Sequence, residues 1–268
     1  MVESERHDAW QTGGSYDAYM GRWSRAVAQR FVDWLGAAPQ ADWLDVGCGT
    51  GALSAAILDR CNPRSLLGID LSEGFLAAAR ANADDPRAEF RVGDGAQMDL
   101  PAASRDVVVS GLVLNFLPER DRVLAEQRRV ARPGGLVGFY VWDYPGNGLG
   151  FLDAFWQAAA ALDPGAAEFD EARRFPFCTP EGLTALAARA GLPEVEIAAL
   201  EVPTVFADFD DFWRPFTLGT GPAPGYCASL AADQRQRLED RLRDRLPRAP
   251  GGSIAMTARA WAVRSRLP

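Results

Sequence analysis

The residues with the clearest chemical potential lie in one run, Trp43-Leu44-Asp45-Val46-Gly47-Cys48-Gly49-Thr50-Gly51. An apolar stretch that ends in alternating glycines reads as a buried strand turning sharply into a helix. Glycine reaches positive φ without steric cost and lets a ligand approach the backbone closely. In open, mostly parallel sheets, nucleotide-like ligands bind beyond the carboxyl ends of the strands. A ligand-free tight turn would carry the same glycines, and such patterns often match by chance. A dinucleotide is a second possibility, because Gly47-x-Gly49-x-x-Ala52 fits the GxGxxG/A fingerprint and Asp70 follows about 20 residues on.

Four features separate these readings and favour S-adenosylmethionine (SAM). Asp45 stands two residues before Gly47, at the ligand-facing end of the strand. A carboxylate there disfavours a pyrophosphate but suits a ligand carrying a sulfonium and an ammonium. Gly51 gives the spacing GxGxG. Gly93-Asp94-Gly95 sets an acid after the third strand, where an adenine amino group could donate to it. Arg132-Pro133-Gly134-Gly135 leads into the fifth strand.

Taken in order, Asp45 to Gly51, Gly68-Ile69-Asp70-Leu71-Ser72, Gly93 to Gly95, Asp106 to Ser110 and Arg132 to Gly135 resemble the motifs of class I SAM-dependent methyltransferases. The look is nearest to the ubiquinone-biosynthesis-type small-molecule branch, over about residues 40–142. The resemblance implies a Rossmann-like α/β fold, a seven-stranded mostly parallel sheet with its last strand antiparallel. It implies that Gly47, Gly49 and Gly51 lie against the methionine part of SAM and that Asp45 acts on its amino end. Asp70 would accept the ribose hydroxyls, with Leu71 against adenine. Asp94 and the Gly95 amide would hold the adenine edge, and Ser110 to Leu112 would offer backbone to the ammonium. Tyr16 to Ser24 resembles an N-terminal lid segment, in which Arg22 pairs with the SAM carboxylate and Arg25 is its rival.

Around these residues, apolar periodicity predicts an alternating βαβ series. Strands are expected at 43–46, 65–70, 88–92, 106–110 and 136–142, and helices at 50–60, 73–83 and 118–131. Ser72 is the expected N-cap of the second helix, and Pro118 is expected in the first turn of the third. Beyond Trp142 the pattern gives a helix at 180–190, a strand at 194–200, a polar helix near 230–246 and a last strand within 253–263. The whole chain, 1–268, reads as one domain: a helical lid at 15–35, a cofactor-binding core at 40–142, and an inserted cap at 143–180 and 203–228.

Aromatic residues concentrate after the fifth strand, which points to an apolar cap and to a small aromatic or hydrophobic acceptor. Tyr16, Tyr19, Trp142, Tyr144 and Phe177 are the expected acceptor contacts. Asn115, Asp143 and Tyr144 are the polar candidates for catalysis. Asn115 could orient an acceptor but cannot act as a base, Asp143 could be a base, and no residue is assigned the role.

Composition narrows the class further. Net charge is −8, which argues against nucleic acid as partner. There is no lysine, so Schiff-base chemistry is excluded. The single histidine, His7, and four scattered cysteines give no metal or disulfide pattern. No signal-like or membrane-spanning run is present, and the chain is expected to be cytoplasmic, acting on a small molecule and not at a membrane. An NAD-binding oxidoreductase and a non-catalytic SAM-binding protein are the alternatives.

Overall fold

The computed structural model describes residues 17–219 and 221–268; Tyr16 and His7 lie outside them. Seven strands form one sheet: β1 Asp42–Val46, β2 Ser65–Asp70, β3 Ala88–Val92, β4 Arg105–Gly111, β5 Ala131–Trp142, β6 Glu196–Phe206 and β7 Ile254–Arg266. Their order is β3-β2-β1-β4-β5-β7-β6. β1 to β5 run parallel, and β7 is antiparallel to both of its neighbours. The strand order reverses between β1 and β4, which opens a crevice at their carboxyl ends.

Helices cover both faces of the sheet: α1 Arg22–Leu35, α2 Ala52–Arg60, α3 Glu73–Asn82, α4 Arg120–Val130, α5 Gly150–Leu162, α6 Glu171–Arg174, α7 Pro180–Arg189, α8 Phe209–Trp213, α9 Pro222–Ser229 and α10 Ala232–Arg245. Double cover explains why β1, β2 and β4 are almost continuously apolar. Ser72 caps α3, its Oγ accepting the Phe75 amide at 3.3 Å. A π-helical turn, Asp17–Gly21, leads into α1 and buries Tyr19 and Met20.

Several boundaries differ from the sequence expectation, three of them for a physical reason that can be named. Pro118 precedes α4 instead of sitting in its first turn; Glu119 is the N-cap, so the proline belongs to the turn before it. β5 begins at Ala131, because the glycines of Arg132-Pro133-Gly134-Gly135 admit an irregular start with a register shift opposite Arg105 and Val107. There Arg132 bonds Asp106 at 2.6 Å and Asp42 at 3.2 Å, tying the starts of β1, β4 and β5 at the edge remote from the crevice. β6 continues past Leu200 to Phe206, with Leu200, Val202, Thr204 and Phe206 buried in alternation. Pro203 is tolerated there because β6 is an edge strand. The tail of β6 meets the aromatic half of the core, where Phe206 lies 5.2 Å from Phe212 and Phe155 stacks on Phe216 at 4.5 Å.

Candidate functional site

β1 delivers its chain end into the crevice through three glycines, each with φ between +54° and +88°. They are glycine for different reasons. A Cβ on Gly47 would lie 2.7 Å from Val113 Cγ2, and one on Gly51 would lie 3.2 Å from Ala79 Cα, where α2 meets α3. A Cβ on Gly49 would meet no atom of the described residues within 4 Å. Gly49 therefore borders open space, which turn packing alone does not require. The amides of Gly47 and Cys48 donate to Ile69 O, at 2.8 and 3.0 Å. Asp70, at the end of β2, accepts the Gly49 amide through Oδ2 at 3.0 Å and the Ser72 amide through Oδ1 at 2.9 Å.

The loop borders a cleft of about 830 Å³, its open mouth included. Asp45, Gly47, Gly49, Asp70 and Leu112, all picked out in the sequence, line it together. Asp45 is fully buried; its Oδ2 accepts the Ser54 hydroxyl at 2.7 Å, and Oδ1 has no partner among the described residues. Burial pushes its carboxyl up to about 7, helped by the neighbouring Asp70 and opposed by the Ser54 hydrogen bond. A half-satisfied buried carboxylate is costly unless a ligand supplies the missing donor. Leu112 takes φ +58° while its amide donates to Tyr140 O at 2.9 Å. Non-glycine residues in that region store on the order of 1–3 kcal/mol and cluster at ligand sites.

Other expected cofactor contacts lie apart from this lining. Leu71 is 66% exposed beyond β2. Asp94 is exposed, and its Oδ1 accepts the Ala96 amide at 2.8 Å, shaping the turn after β3. A Cβ on Gly95 would lie 2.8 Å from Val46 Cγ1, so this glycine packs against β1. Ser110 is buried, and its hydroxyl has no partner among the described residues. Arg22 bonds Asp211 at 3.1 Å and lies over the rings of Trp23 and Phe206, at 4.4 and 4.8 Å.

A second, narrower chamber, about 350 Å³ with its open mouth included, shares Leu112 and Phe116 with the cleft. Tyr19, Trp142 and Tyr144, expected acceptor contacts, line it, as does Glu171. Phe177 lies elsewhere, under the Arg120 guanidinium at 4.2 Å. Tyr16 falls outside the described residues. Of the catalytic candidates, Asp143 is buried and held by Arg259, at 2.6 and 2.7 Å, and by the Gly146 amide at 2.9 Å. Asn115 is buried, and neither Oδ1 nor Nδ2 has a partner among the described residues.

Sequence reasoning missed Ser24, Phe75, Phe116 and Tyr140 in the cleft and Glu171 in the chamber. Tyr140 carried a usable signal, since it stands two residues before Trp142 on one strand and so shares its face. Glu171 sits in the run Asp170-Glu171-Ala172-Arg173-Arg174, which reads as a solvated charge cluster.

A Rossmann-like sheet with a glycine loop and two carboxylates at its switch point defines a nucleotide-type cofactor-binding protein. A family profile described as a methyltransferase domain matches residues 44–139. Malonyl-[acyl-carrier protein] O-methyltransferase of Geobacter sulfurreducens is 34% identical over 204 residues, covering 74% of this chain and 73% of that protein. Nocamycin O-methyltransferase of Saccharothrix syringae is 36% identical over 129 residues, 47% of this chain; the match spans about half of that relative's length, 46%. In fold, the chain is similar to phosphoethanolamine N-methyltransferase 2 of Haemonchus contortus, solved with SAM, with a TM-score of 0.58, 17% identity, and cover of 97% of this chain and 59% of that one. The chain belongs to the class I SAM-dependent methyltransferases. SAM, not a dinucleotide, is the cofactor of that family, and the unpartnered Asp45 oxygen beside the open face of Gly49 fits a cationic ligand of that kind.

Proposed function

We propose that this chain transfers a methyl group from SAM to a small, aromatic or hydrophobic organic acceptor. The observation that carries the reading is the buried Asp45 with one free oxygen, facing a cleft that adjoins an aromatic chamber. When bound, the cofactor supplies an electrophilic methyl: an acceptor lone pair forms the new bond as the carbon–sulfur pair returns to sulfur.

The chain's own residues bind and align. Asp45 holds the cofactor's ammonium, Gly47 and Gly49 bring backbone against its methionine part, and Asp70 takes the ribose hydroxyls. Leu71, Asp94 and Gly95 border the adenine, with Ser110 and Leu112 offering backbone. The lid brings Tyr19 to the acceptor, while Trp142 and Tyr144 enclose it. Alignment in a site closed to water can supply roughly 7–11 kcal/mol of the barrier. The charge of −8 supports an acceptor other than nucleic acid. Titration calorimetry with SAM, S-adenosylhomocysteine and NAD tests the cofactor; micromolar binding of the first two and none of NAD is expected. Transfer of labelled methyl to a metabolite panel then tests catalysis, and binding without transfer to any acceptor would leave a SAM-binding protein.

A further inference from the structure

Glu171 is the buried acid that the cofactor reading leaves without a task. It is 4% exposed, yet it stands in the wall of the chamber beside the cleft. Its surroundings there are the rings of Tyr19, Phe116, Trp142 and Tyr144, and no arginine is among the described residues that line the space with it. Trp156, on α5, donates its indole N–H to Glu171 Oε2 at 2.5 Å, which fixes the carboxyl against the chamber. Aromatic faces around one acid are the surroundings that cations favour. A carboxylate acceptor would find the opposite, an acid and no cation.

Resting on the methyl-transfer reading above, we propose that this chamber is the acceptor site, that it takes an amine, and that Glu171 pairs with the ammonium form and removes the proton covering its lone pair. The step balances: R–NH3+ and the Glu171 carboxylate give R–NH2 and the Glu171 carboxylic acid, and the freed lone pair is the nucleophile. An ordinary carboxyl is too weak a base for an alkylammonium. Burial pushes Glu171 up to about 8, close enough to an amine for the proton to move. The charged and titratable groups facing it are Asp170 and Arg174 on its own segment and the Tyr19 phenol, itself raised by burial and by Glu171. Beyond Asp170, Asp153 on α5 is raised to about 7 by burial and by that acid.

The probe is benzylamine, added to the protein saturated with S-adenosylhomocysteine, with phenol and benzoate as comparisons. At pH 7 free Glu171 holds its proton and the free amine carries its own, but the complex keeps only one of the two. Calorimetry in two buffers of different ionisation enthalpy therefore shows about one proton released per benzylamine bound. Glu171→Gln keeps an acceptor for Trp156; it abolishes that release and weakens benzylamine at least tenfold, while SAM affinity stays within twofold. Binding of benzylamine without proton release in the wild-type protein overturns the proposal, whether or not the variant folds. Equal benzylamine affinity in Glu171→Gln, or phenol or benzoate binding more tightly than benzylamine, overturns it too and leaves the cofactor reading intact. Failure of wild-type protein to bind SAM removes that reading, and the proposal with it.

Discussion

Gly47 and Gly49 stand two residues apart, yet a methyl group added to each meets different surroundings. At Gly47 it collides with Val113 and also strains a φ of +70°. At Gly49 it strains a φ of +54° but enters empty space. Positive φ costs a non-glycine residue about 1–2 kcal/mol, and overpacking adds about 1–3. Gly47→Ala should therefore lower Tm markedly, whereas Gly49→Ala should cost a few degrees and mainly reduce SAM affinity. A thermal scan paired with calorimetry on both variants separates the two, and equal effects would remove Gly49 from the ligand face. Asp70→Ala frees the amides of Gly49 and Ser72 as well as any ribose contact, so SAM should weaken at least tenfold in a folded protein. For Asp45, held near 7 by burial, a ligand cation favours the ionised form. SAM affinity should rise with pH up to about 7, and binding at pH 6 should release a proton; Asp45→Asn should flatten both. Asp45, Gly47, Gly49 and Asp70 were legible because chemistry fixes their spacing along one strand–turn–helix–strand unit. Glu171 was not, because only the tertiary fold brings α6 against the chamber.

Among the elements, Arg22 marks the join between α1 and the end of β6. Arg22 stacks on Trp23 and Phe206 and bonds Asp211, drawing α1, β6 and α8 together. The pair is partly exposed, so the rings contribute more than the charge. Arg22→Ala should lower Tm by a few degrees and change SAM affinity less than twofold. A tenfold loss of affinity at unchanged Tm would instead give Arg22 the carboxylate of the cofactor, as the lid resemblance implies. The parallel strands β1 to β5 were readable from apolar runs punctuated by glycine, and β2 and β3 match to the residue. The far half of β6 was hidden: Pro203 argues against a strand, and only its place at the sheet edge makes the proline harmless.

For the molecule as a whole, two groups of acids oppose each other. Asp45, Asp153 and Glu171 are raised by burial to about 7, 7 and 8, so the folded state holds their protons where the unfolded chain has lost them. Their contribution is greatest below the unfolded values near 4 and is lost as pH rises to about 8. Asp106, Glu126 and Asp211 are lowered by arginine and amide partners, and their contribution is lost on acidification below about 4. Thermal stability should peak near pH 5 and fall toward pH 8.5. Scanning calorimetry checks this, and a Tm that holds level or rises from pH 5 to 8.5 would refute the assignment of these buried acids.

β7 lies between β5 and β6 in the sheet but follows both in the chain. A ribosome therefore releases the two outer members of this trio before the strand that joins them. Until residues 254–266 emerge, β5 and β6 each present an open edge, and β6 has no other neighbour in the sheet. The closing step is an insertion: one strand must satisfy seven register positions on β5 and eleven on β6. Vectorial synthesis thus leaves the edges of β5 and β6 open to pairing with other chains until β7 is made.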